Sequence, residues 1–202
     1  MKLKLSLIKI SAVIFLACVL VSCNEKKQGD SHSHEEHATS DDSEIETTGP
    51  QFTVDEAFQK QLGDVFDQYV KLKDAFVESE VELVKKEASA LSQSVAKVDM
   101  KLLTGAAHND WMAFLSPIQK SLNEIQASMD LEEQRKSFSE LSDNLYKSIR
   151  AFGLGGKEAF YEYCPMAFNN EGAYWLSDQE KIRNPYFGDK MLTCGMVKEK
   201  LK

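Results

Sequence analysis

Residues 58–76, FQKQLGDVFDQYVKLKDAF, decide the fold that this sequence predicts. Apolar side chains recur in this stretch at alternating intervals of four and three residues. This spacing places them on one face of an α-helix, where they can pack against other elements. A mean interval of about 3.5 residues is typical of helices that pack side by side in a left-handed bundle. The residues of this stripe are Phe58, Leu62, Val65, Tyr69, Leu72 and Phe76.

Three further stretches repeat the pattern on the C-terminal side. Capping-box spacing at Ser79–Glu82 and at Asp130–Glu133 marks two helix starts. Because the connections are short, neighbouring helices must be antiparallel, and residues 52–152 are predicted to form an up-down-up-down four-helix bundle. The additional stripes are Val84, Ala88, Leu91, Val95, Val98 and Leu102; Trp111, Leu115, Ile118, Leu122, Ile125 and Met129; and Leu131, Phe138, Leu141, Leu145, Ile149 and Phe152.

The last part of the chain, residues 153–202, has a different character. A glycine-rich run, Gly153-Leu154-Gly155-Gly156, ends the helical pattern, and turn signals recur after it. Eight of the nineteen aromatic residues lie between Phe160 and Phe187. The absence of a long amphipathic stripe predicts an irregular, aromatic-rich cap that packs on the bundle. The predicted fold class is therefore all-α.

Composition and charge exclude several classes of protein. The 202 residues include 24 basic and 32 acidic side chains, a formal net charge of −8. This balance argues against a nucleic-acid partner, which selects a basic protein surface. No Ser-His-Asp set or phosphate-binding loop is visible, and the expected bundle contains no histidine placed for catalysis, so we expect no enzyme.

The N-terminus has the features of an export signal. Residues 1–22 contain early lysines, a short apolar run and small residues before a cysteine. Leu20-Val21-Ser22-Cys23 resembles the lipobox of bacterial lipoproteins, which implies cleavage before Cys23 and a lipid on its sulfur. The alternative is a plain secretory signal with an incidental cysteine, and Cys18 fits the lipobox less well. The resemblance implies a membrane-anchored lipoprotein facing the periplasm or cell surface, where free thiols tend to be oxidised.

Residues 23–51 are predicted to form a disordered tether behind the lipidated cysteine. Residues 24–50 include eight acidic side chains, and their only apolar side chains are Ala38 and Ile45, which cannot offset the entropy of folding. His32, His34 and His37 lie close together in this segment. Neutral imidazoles at this density can bind Zn²⁺, Cu²⁺ or Ni²⁺ weakly. The alternative is a solvated polar linker with chance histidines.

Two sulfur-rich patterns bracket the C-terminal region. Cys164-Pro165-Met166 and Cys194-Gly195-Met196 each place a cysteine and a methionine two positions apart. Thiolate and thioether are soft donors that favour Cu(I) or Ag(I), with Met191 as an auxiliary ligand. Zn²⁺ is less suited because further Cys or His ligands are missing.

A structural disulfide explains the same two cysteines. In an oxidising compartment Cys164 and Cys194 would close a loop of 31 residues, which stabilises the fold by roughly 3–4 kcal/mol in the chain-entropy model. The methionines would then be ordinary core residues. Residue chemistry alone leaves the two alternatives open.

Both patterns resemble the small heavy-metal-binding domain of cation-efflux adaptors and P-type metal ATPases. That domain runs Tyr-x-Cys-Pro-Met and then Cys-Pro-x-Cys-Gly-Met, and this chain has Met191 in place of the first cysteine of the second half. The family's tyrosine stands two residues before its cysteine. In this chain Tyr163 is adjacent to Cys164 and Tyr161 stands three residues before it, so the match at the tyrosine is weaker. The resemblance implies a metal site at the two Cys/Met patterns.

A wider resemblance covers residues 52–197. It is to a bacterial domain family of unknown function that occurs as free lipoproteins and as an appendage on copper/silver-type efflux adaptors. The association implies metal handling. The segments that carry it are residues 69–77, Trp111, residues 135–138, residues 164–168, residues 173–177 and residues 184–188.

Two functions follow as expectations. The first is a periplasm-facing lipoprotein that binds Cu(I) or Ag(I) for buffering or for handover to a cation-efflux adaptor. The second is an interaction module that binds no metal, with a cap locked by a Cys164–Cys194 disulfide. In both cases the membrane contact is made through the N-terminal lipid.

Overall fold

The structure, a computed structural model, describes residues 45–202. The predicted signal peptide, Cys23 and the three tether histidines, His32, His34 and His37, lie outside the described residues. Within them, no helix combines the length and the apolar character needed to span a bilayer. The long helices are α1 Glu56–Glu78, α2 Val81–Val95, α3 Gly105–Ala127 and α4 Leu131–Phe152.

One of the two predicted helix starts is correct. Asp130 is the N-cap of α4, and its carboxylate accepts hydrogen bonds from the backbone N–H groups of Glu132 and Glu133 at 2.8 and 3.3 Å. The prediction for Ser79 is wrong: it ends α1 in the left-handed conformation, with φ 61°. Its hydroxyl is engaged elsewhere, since it accepts a hydrogen bond from Arg135 Nη2 at 3.0 Å.

Aromatic contacts fix the directions of three helices. Phe58, early in α1, packs on Phe152 at the end of α4, with ring centroids 5.2 Å apart. Phe76, late in α1, packs on Phe138 in the first half of α4 at 4.6 Å, so α1 and α4 are antiparallel. Trp111, early in α3, meets Phe58 at 5.4 Å, so α3 runs in the same direction as α1.

The predicted helical stripes form the core. Almost all their side chains are buried; Leu102 and Leu131 are partly exposed, and Met129 is 65% exposed. Met129 follows the end of α3, and its sulfur accepts a hydrogen bond from Lys85 Nζ, near the start of α2, at 3.0 Å. This contact places the start of α2 at the end of α3, so these two helices are antiparallel as well.

The all-α class and the irregular cap are wrong, although the prediction of a mainly helical protein is confirmed. Residues 45–202 also contain a four-stranded sheet with the strand order β1-β4-β2-β3. Strand β2 pairs antiparallel with both β3 and β4. Aromatic residues, which fit a half-buried pleated surface well, are concentrated in β2 and β3. The strands are β1 Glu46–Thr48, β2 Ala159–Cys164, β3 Ala173–Ser177 and β4 Met196–Leu201.

The end of the predicted tether is part of this sheet. Strand β1 lies beside β4 in parallel, with Glu46 opposite Glu199. The carbonyl of Thr48 accepts a hydrogen bond from the backbone N–H of Lys202 at 3.2 Å, and the Thr48 hydroxyl donates to Glu199. For these residues the prediction of disorder is wrong. Pairing with the distant strand β4 gives their backbone N–H and C=O groups hydrogen-bond partners, which the local composition does not reveal.

Two buried tyrosines block the free edge of β3. The hydroxyl of Tyr69, on α1, accepts a hydrogen bond from the backbone N–H of Leu176 at 3.1 Å. The hydroxyl of Tyr186 donates to the carbonyl of Tyr174 at 2.5 Å. Unpaired strand edges invite association with other chains. The tyrosines close this edge and bind the sheet to the helices.

Candidate metal-binding site

The two cysteines of the C-terminal region are in contact. Cys164 is the last residue of β2 and is fully buried, whereas Cys194 lies two residues before β4 and is partly exposed. Their Sγ atoms are 3.2 Å apart, and both are free thiols. The structure therefore brings together the two residues at the centre of the predicted site and leaves one of them accessible to solvent.

Local structure holds Cys194 in place. The Asn184 side chain, which is fully buried, donates from Nδ2 to the Cys194 carbonyl at 2.7 Å. Gly195 has φ 149°, and a Cβ atom there would lie 2.8 Å from the Trp175 ring and 3.0 Å from the Tyr163 carbonyl oxygen. Only glycine fits this close approach, so Asn184 and Gly195 fix the path of the chain that carries the second thiol.

Contact with Cys164 affects the protonation of the Cys194 thiol. The hydrogen bond with Cys164 raises the pKa of the Cys194 thiol, and burial raises it further. Because metals bind the thiolate, an ion that enters the site must displace the proton from this sulfur.

The distance between the two sulfurs lies between the values expected for a disulfide and for two thiolates bound to one metal ion. In a disulfide the two sulfurs are about 2.05 Å apart. On one metal ion with metal–sulfur bonds near 2.3 Å they would be roughly 3.8 Å apart at a tetrahedral angle and roughly 4.6 Å apart when opposite each other. The observed 3.2 Å lies between these values. A small movement of the accessible Cys194 side chain would reach either arrangement.

The methionines do not behave as core residues. Met166 and Met196 are each 45% exposed, which contradicts the expectation that they fill the core beside a plain disulfide. Met196 opens β4 and lies opposite Tyr163, the residue before Cys164. Met166 and Met191 line one groove of about 680 Å³, called the methionine groove below. Its other walls are formed by residues 167–171, by Tyr186 and Phe187, and by Glu132, Lys136, Ser139 and Glu140 of α4.

Harder metal-binding groups are not gathered at this site. Within residues 45–202 no three His, Cys, Asp or Glu side chains form a cluster that could hold a metal ion. A closed zinc site usually needs four such ligands. Among the described residues, the soft donors that the structure brings into contact here are the two thiols.

Sequence reasoning missed a buried carboxylate beside the cysteines. Glu162 is on β2, two residues before Cys164, and therefore on the same face of the strand. It is fully buried, and neither carboxylate oxygen has a hydrogen-bond partner among the described residues. Burial raises the pKa of Glu162 to about 8, and the charge of Lys73 and the indole N–H of Trp175 only partly oppose this shift. Recognising β2 as a strand would have placed Glu162 next to the site.

A strained turn follows the first Cys/Met pattern. Phe168, Asn169 and Asn170 have φ values of 50°, 59° and 72°, in the left-handed region that residues with side chains rarely adopt. Each such residue costs about 1 kcal/mol or more, and such strain persists only where the surrounding structure imposes it. Here the Phe168 ring packs edge-on against Tyr186 at 5.3 Å, which fixes the turn.

Comparison with known proteins gives one match. Residues 65–157 match the model of a family described as "Protein of unknown function (DUF3347)". The predicted resemblance to a domain family of unknown function is supported over that range, which ends before Cys164. The predicted links to efflux adaptors and to the heavy-metal-binding domain stay predictions. No curated protein and no solved structure matches the chain.

Proposed function

We propose that this chain is a lipoprotein, anchored through Cys23 on the periplasmic side of a membrane, that binds Cu(I) or Ag(I) for buffering or for handover to a cation-efflux system. The role is binding, not catalysis. The observation that carries the proposal is the contact between the Cys164 and Cys194 thiols at 3.2 Å, with one thiol accessible. Soft monovalent cations prefer thiolate and thioether ligands. The exposed Met166 and Met196 are the nearest thioethers along the chain.

A second function rests on the same contact. Oxidation of Cys164 and Cys194 would lock the C-terminal region by a disulfide and leave an interaction module without metal. The closeness of the thiols supports both functions equally, so the distance cannot decide between them. The metal proposal is supported by the donor set, since each thiol has a thioether two residues away along the chain.

A competition titration tests the metal proposal. We expect the reduced full-length mature protein to bind one Cu(I) per chain against a competing chelator under anaerobic conditions. Cys164→Ser and Cys194→Ser should each lower the affinity at least tenfold, about 1.4 kcal/mol, because each removes a thiolate ligand. Met166→Leu keeps size and apolarity but removes the sulfur, so it should weaken Cu(I) binding while stability is retained.

The matched control is Met112→Leu. Met112 is 41% exposed on α3, so this change removes an equally accessible thioether away from the cysteines and should leave Cu(I) affinity unchanged. If the reduced protein does not compete for Cu(I), or if both cysteine variants bind as tightly as the unchanged chain, the disulfide-locked module replaces the metal proposal.

The proposed anchor has a separate test. Cys23→Ala removes the sulfur that would carry the lipid, and we expect the protein to appear in the soluble fraction or as an uncut precursor. Membrane fractionation and the mass of the N-terminal peptide measure this result. A Cys23→Ala protein that is processed normally and stays in the membrane fraction would show that the anchor is elsewhere.

A further inference from the structure

The two cysteines differ in the elements that carry them. Cys164 ends strand β2, where it lies opposite Ala173 of β3, and its side chain is fully buried. Cys194 lies on a loop before β4, outside the paired strands, and it is partly exposed. The Sγ atoms are 3.2 Å apart. The pair therefore has one sulfur held inside by the sheet and one cysteine that a reagent in solvent can reach.

The loop that carries Cys194 is exposed around it but fixed at its base. Thr193 and Met196 are exposed on either side of Cys194. The buried Asn184 holds this loop, because its backbone N–H donates to the Leu192 carbonyl at 2.8 Å and its side chain donates to the Cys194 carbonyl at 2.7 Å. Cys194 is not among the residues that line the methionine groove, so its accessible face lies outside that groove.

This asymmetry is the arrangement that thiol–disulfide exchange requires. Exchange proceeds by attack of a thiolate on one sulfur of a disulfide, and it passes through a mixed disulfide with the partner. One thiol must therefore meet the partner, and a second thiol close by must then release it. Cys194 meets the first requirement by its exposure, and Cys164 meets the second by its distance. Closure to sulfurs about 2.05 Å apart needs a movement of roughly 1 Å.

We propose that Cys194 and Cys164 form a reversible redox pair, in which Cys194 reacts with disulfide-bearing molecules and Cys164 resolves the product. The Cys194 thiolate attacks one sulfur of the partner disulfide, which forms a mixed disulfide and releases the other partner sulfur as a thiolate. The Cys164 thiolate then attacks Cys194 Sγ, which closes the disulfide and releases the second partner sulfur. Two electrons pass from this chain to the partner, and the two protons of the chain's thiols end on the partner's sulfurs.

The redox pair would regulate the proposed metal site without depending on it. Metals bind the thiolate, so closure of the disulfide would remove both thiolate ligands of a soft-metal site. Reduction runs the same steps backwards: a partner thiolate attacks Cys194 Sγ, and Cys164 leaves as a thiolate that takes up a proton. The exchange itself needs no ion, so it stands or fails separately from the metal proposal. It also differs from a permanent structural lock, which would not open by attack at Cys194.

Trapping of mixed disulfides tests the roles of the two sulfurs. The mature chain, residues 23–202, carries Cys23→Ser for this purpose, which leaves Cys164 and Cys194 as its only cysteines. Glutathione disulfide is the small-molecule probe, and the oxidised form of an unrelated Cys-x-x-Cys oxidoreductase is the protein probe. Mass spectrometry after acid quenching should find the closed disulfide as the main product. The probe that closes it faster identifies the source of the disulfide.

Two variants separate the roles. Cys164→Ala lacks the resolving thiol, so it should accumulate a stable adduct on Cys194; alanine suits the site because a buried cysteine behaves as a small apolar residue. Cys194→Ser keeps only the buried thiol, so its adduct should form at least roughly tenfold more slowly. Circular dichroism checks that both variants fold. Brief alkylation of the Cys23→Ser chain, which should label Cys194 first, answers the same question without either variant.

Equal adduct rates in the two variants, equal alkylation of both cysteines, or an adduct that never closes would overturn the redox pair. A closed disulfide that excess dithiothreitol cannot open in the folded chain would leave the permanent lock in its place. One Ag(I) per chain should slow the exchange if the metal proposal is right. Exchange that Ag(I) does not slow supports the redox pair and counts against the metal site, whereas Ag(I) binding without exchange does the reverse.

Discussion

Glu162→Gln is expected to raise the free energy of unfolding by about 2–4 kcal/mol at pH 8 and by less than about 1 kcal/mol at pH 5. The carboxyl is fully buried without a hydrogen-bond partner among the described residues, and burial raises its pKa from 4.5 to about 8. The folded protein therefore holds a proton that the unfolded chain releases above pH 4.5. The contribution of Glu162 to the free energy of unfolding is fully present below that pH. It is lost as the pH rises to about 8, by about 1.4 kcal/mol per pH unit at most.

Urea unfolding at the two pH values measures this difference. Glutamine cannot ionise, so the variant should lose the decline in stability that the unchanged chain shows between pH 5 and pH 8. The control is Glu158→Gln: Glu158 is exposed beside β2 and pairs with Lys200 at 2.9 Å. That change should alter stability by less than about 1 kcal/mol at both pH values. Equal stability of the unchanged chain at pH 5 and pH 8 would contradict a buried Glu162 carboxyl with a raised pKa.

The helices were predictable from the sequence because their signal is local. A stripe such as Phe58 to Phe76 repeats over five turns, and each interval confirms the one before it. The N-cap at Asp130 could be recognised from Asp130 and the three residues that follow it. The prediction at Ser79 was wrong because its hydroxyl accepts a hydrogen bond from Arg135, which lies far along the chain.

The sheet was not predictable because its signal is not local. β1 is three residues in an acidic segment, and among the described strands it pairs with β4, at the other end of the chain. β2 and β3 are short, and their aromatic residues also suit an irregular packed segment. Strands of this kind become visible only when their partners are known.

The candidate site was predicted in part for the same reason. Spacing alone suggested that Cys164 and Cys194 act together, and the pairing of β2 with β4 explains how they meet. The importance of Glu162 depends on the alternation of a strand that the sequence did not reveal. The left-handed turn at residues 168–170 has no dedicated signal beyond its asparagines, which tolerate that conformation better than most residues.

Phe138→Ala is expected to destabilise the whole described region, not one part of it. The Phe138 ring is fully buried on α4 and stacks on Tyr69 of α1 at 5.3 Å. It also contacts Phe76 of α1 at 4.6 Å and Tyr186 of the C-terminal region at 6.0 Å. Removal of a buried phenyl ring costs about 3–5 kcal/mol through lost burial and the cavity left behind. Tyr69 and Tyr186 block the edge of β3, so the cavity loosens the contacts that bind the sheet to the helices.

Two probes decide whether helices and sheet unfold together. Far-UV circular dichroism follows the helices, and hydrogen exchange of the β2 and β3 amides follows the sheet. In Phe138→Ala both should report the same loss of stability, because one ring supports both parts. Phe138→Leu, which nearly conserves volume, should cost less than about 1.5 kcal/mol. A loss confined to the helices, with the protection of β2 and β3 unchanged, would mean that residues 159–201 form a separately stable unit and that the tyrosine contacts contribute little.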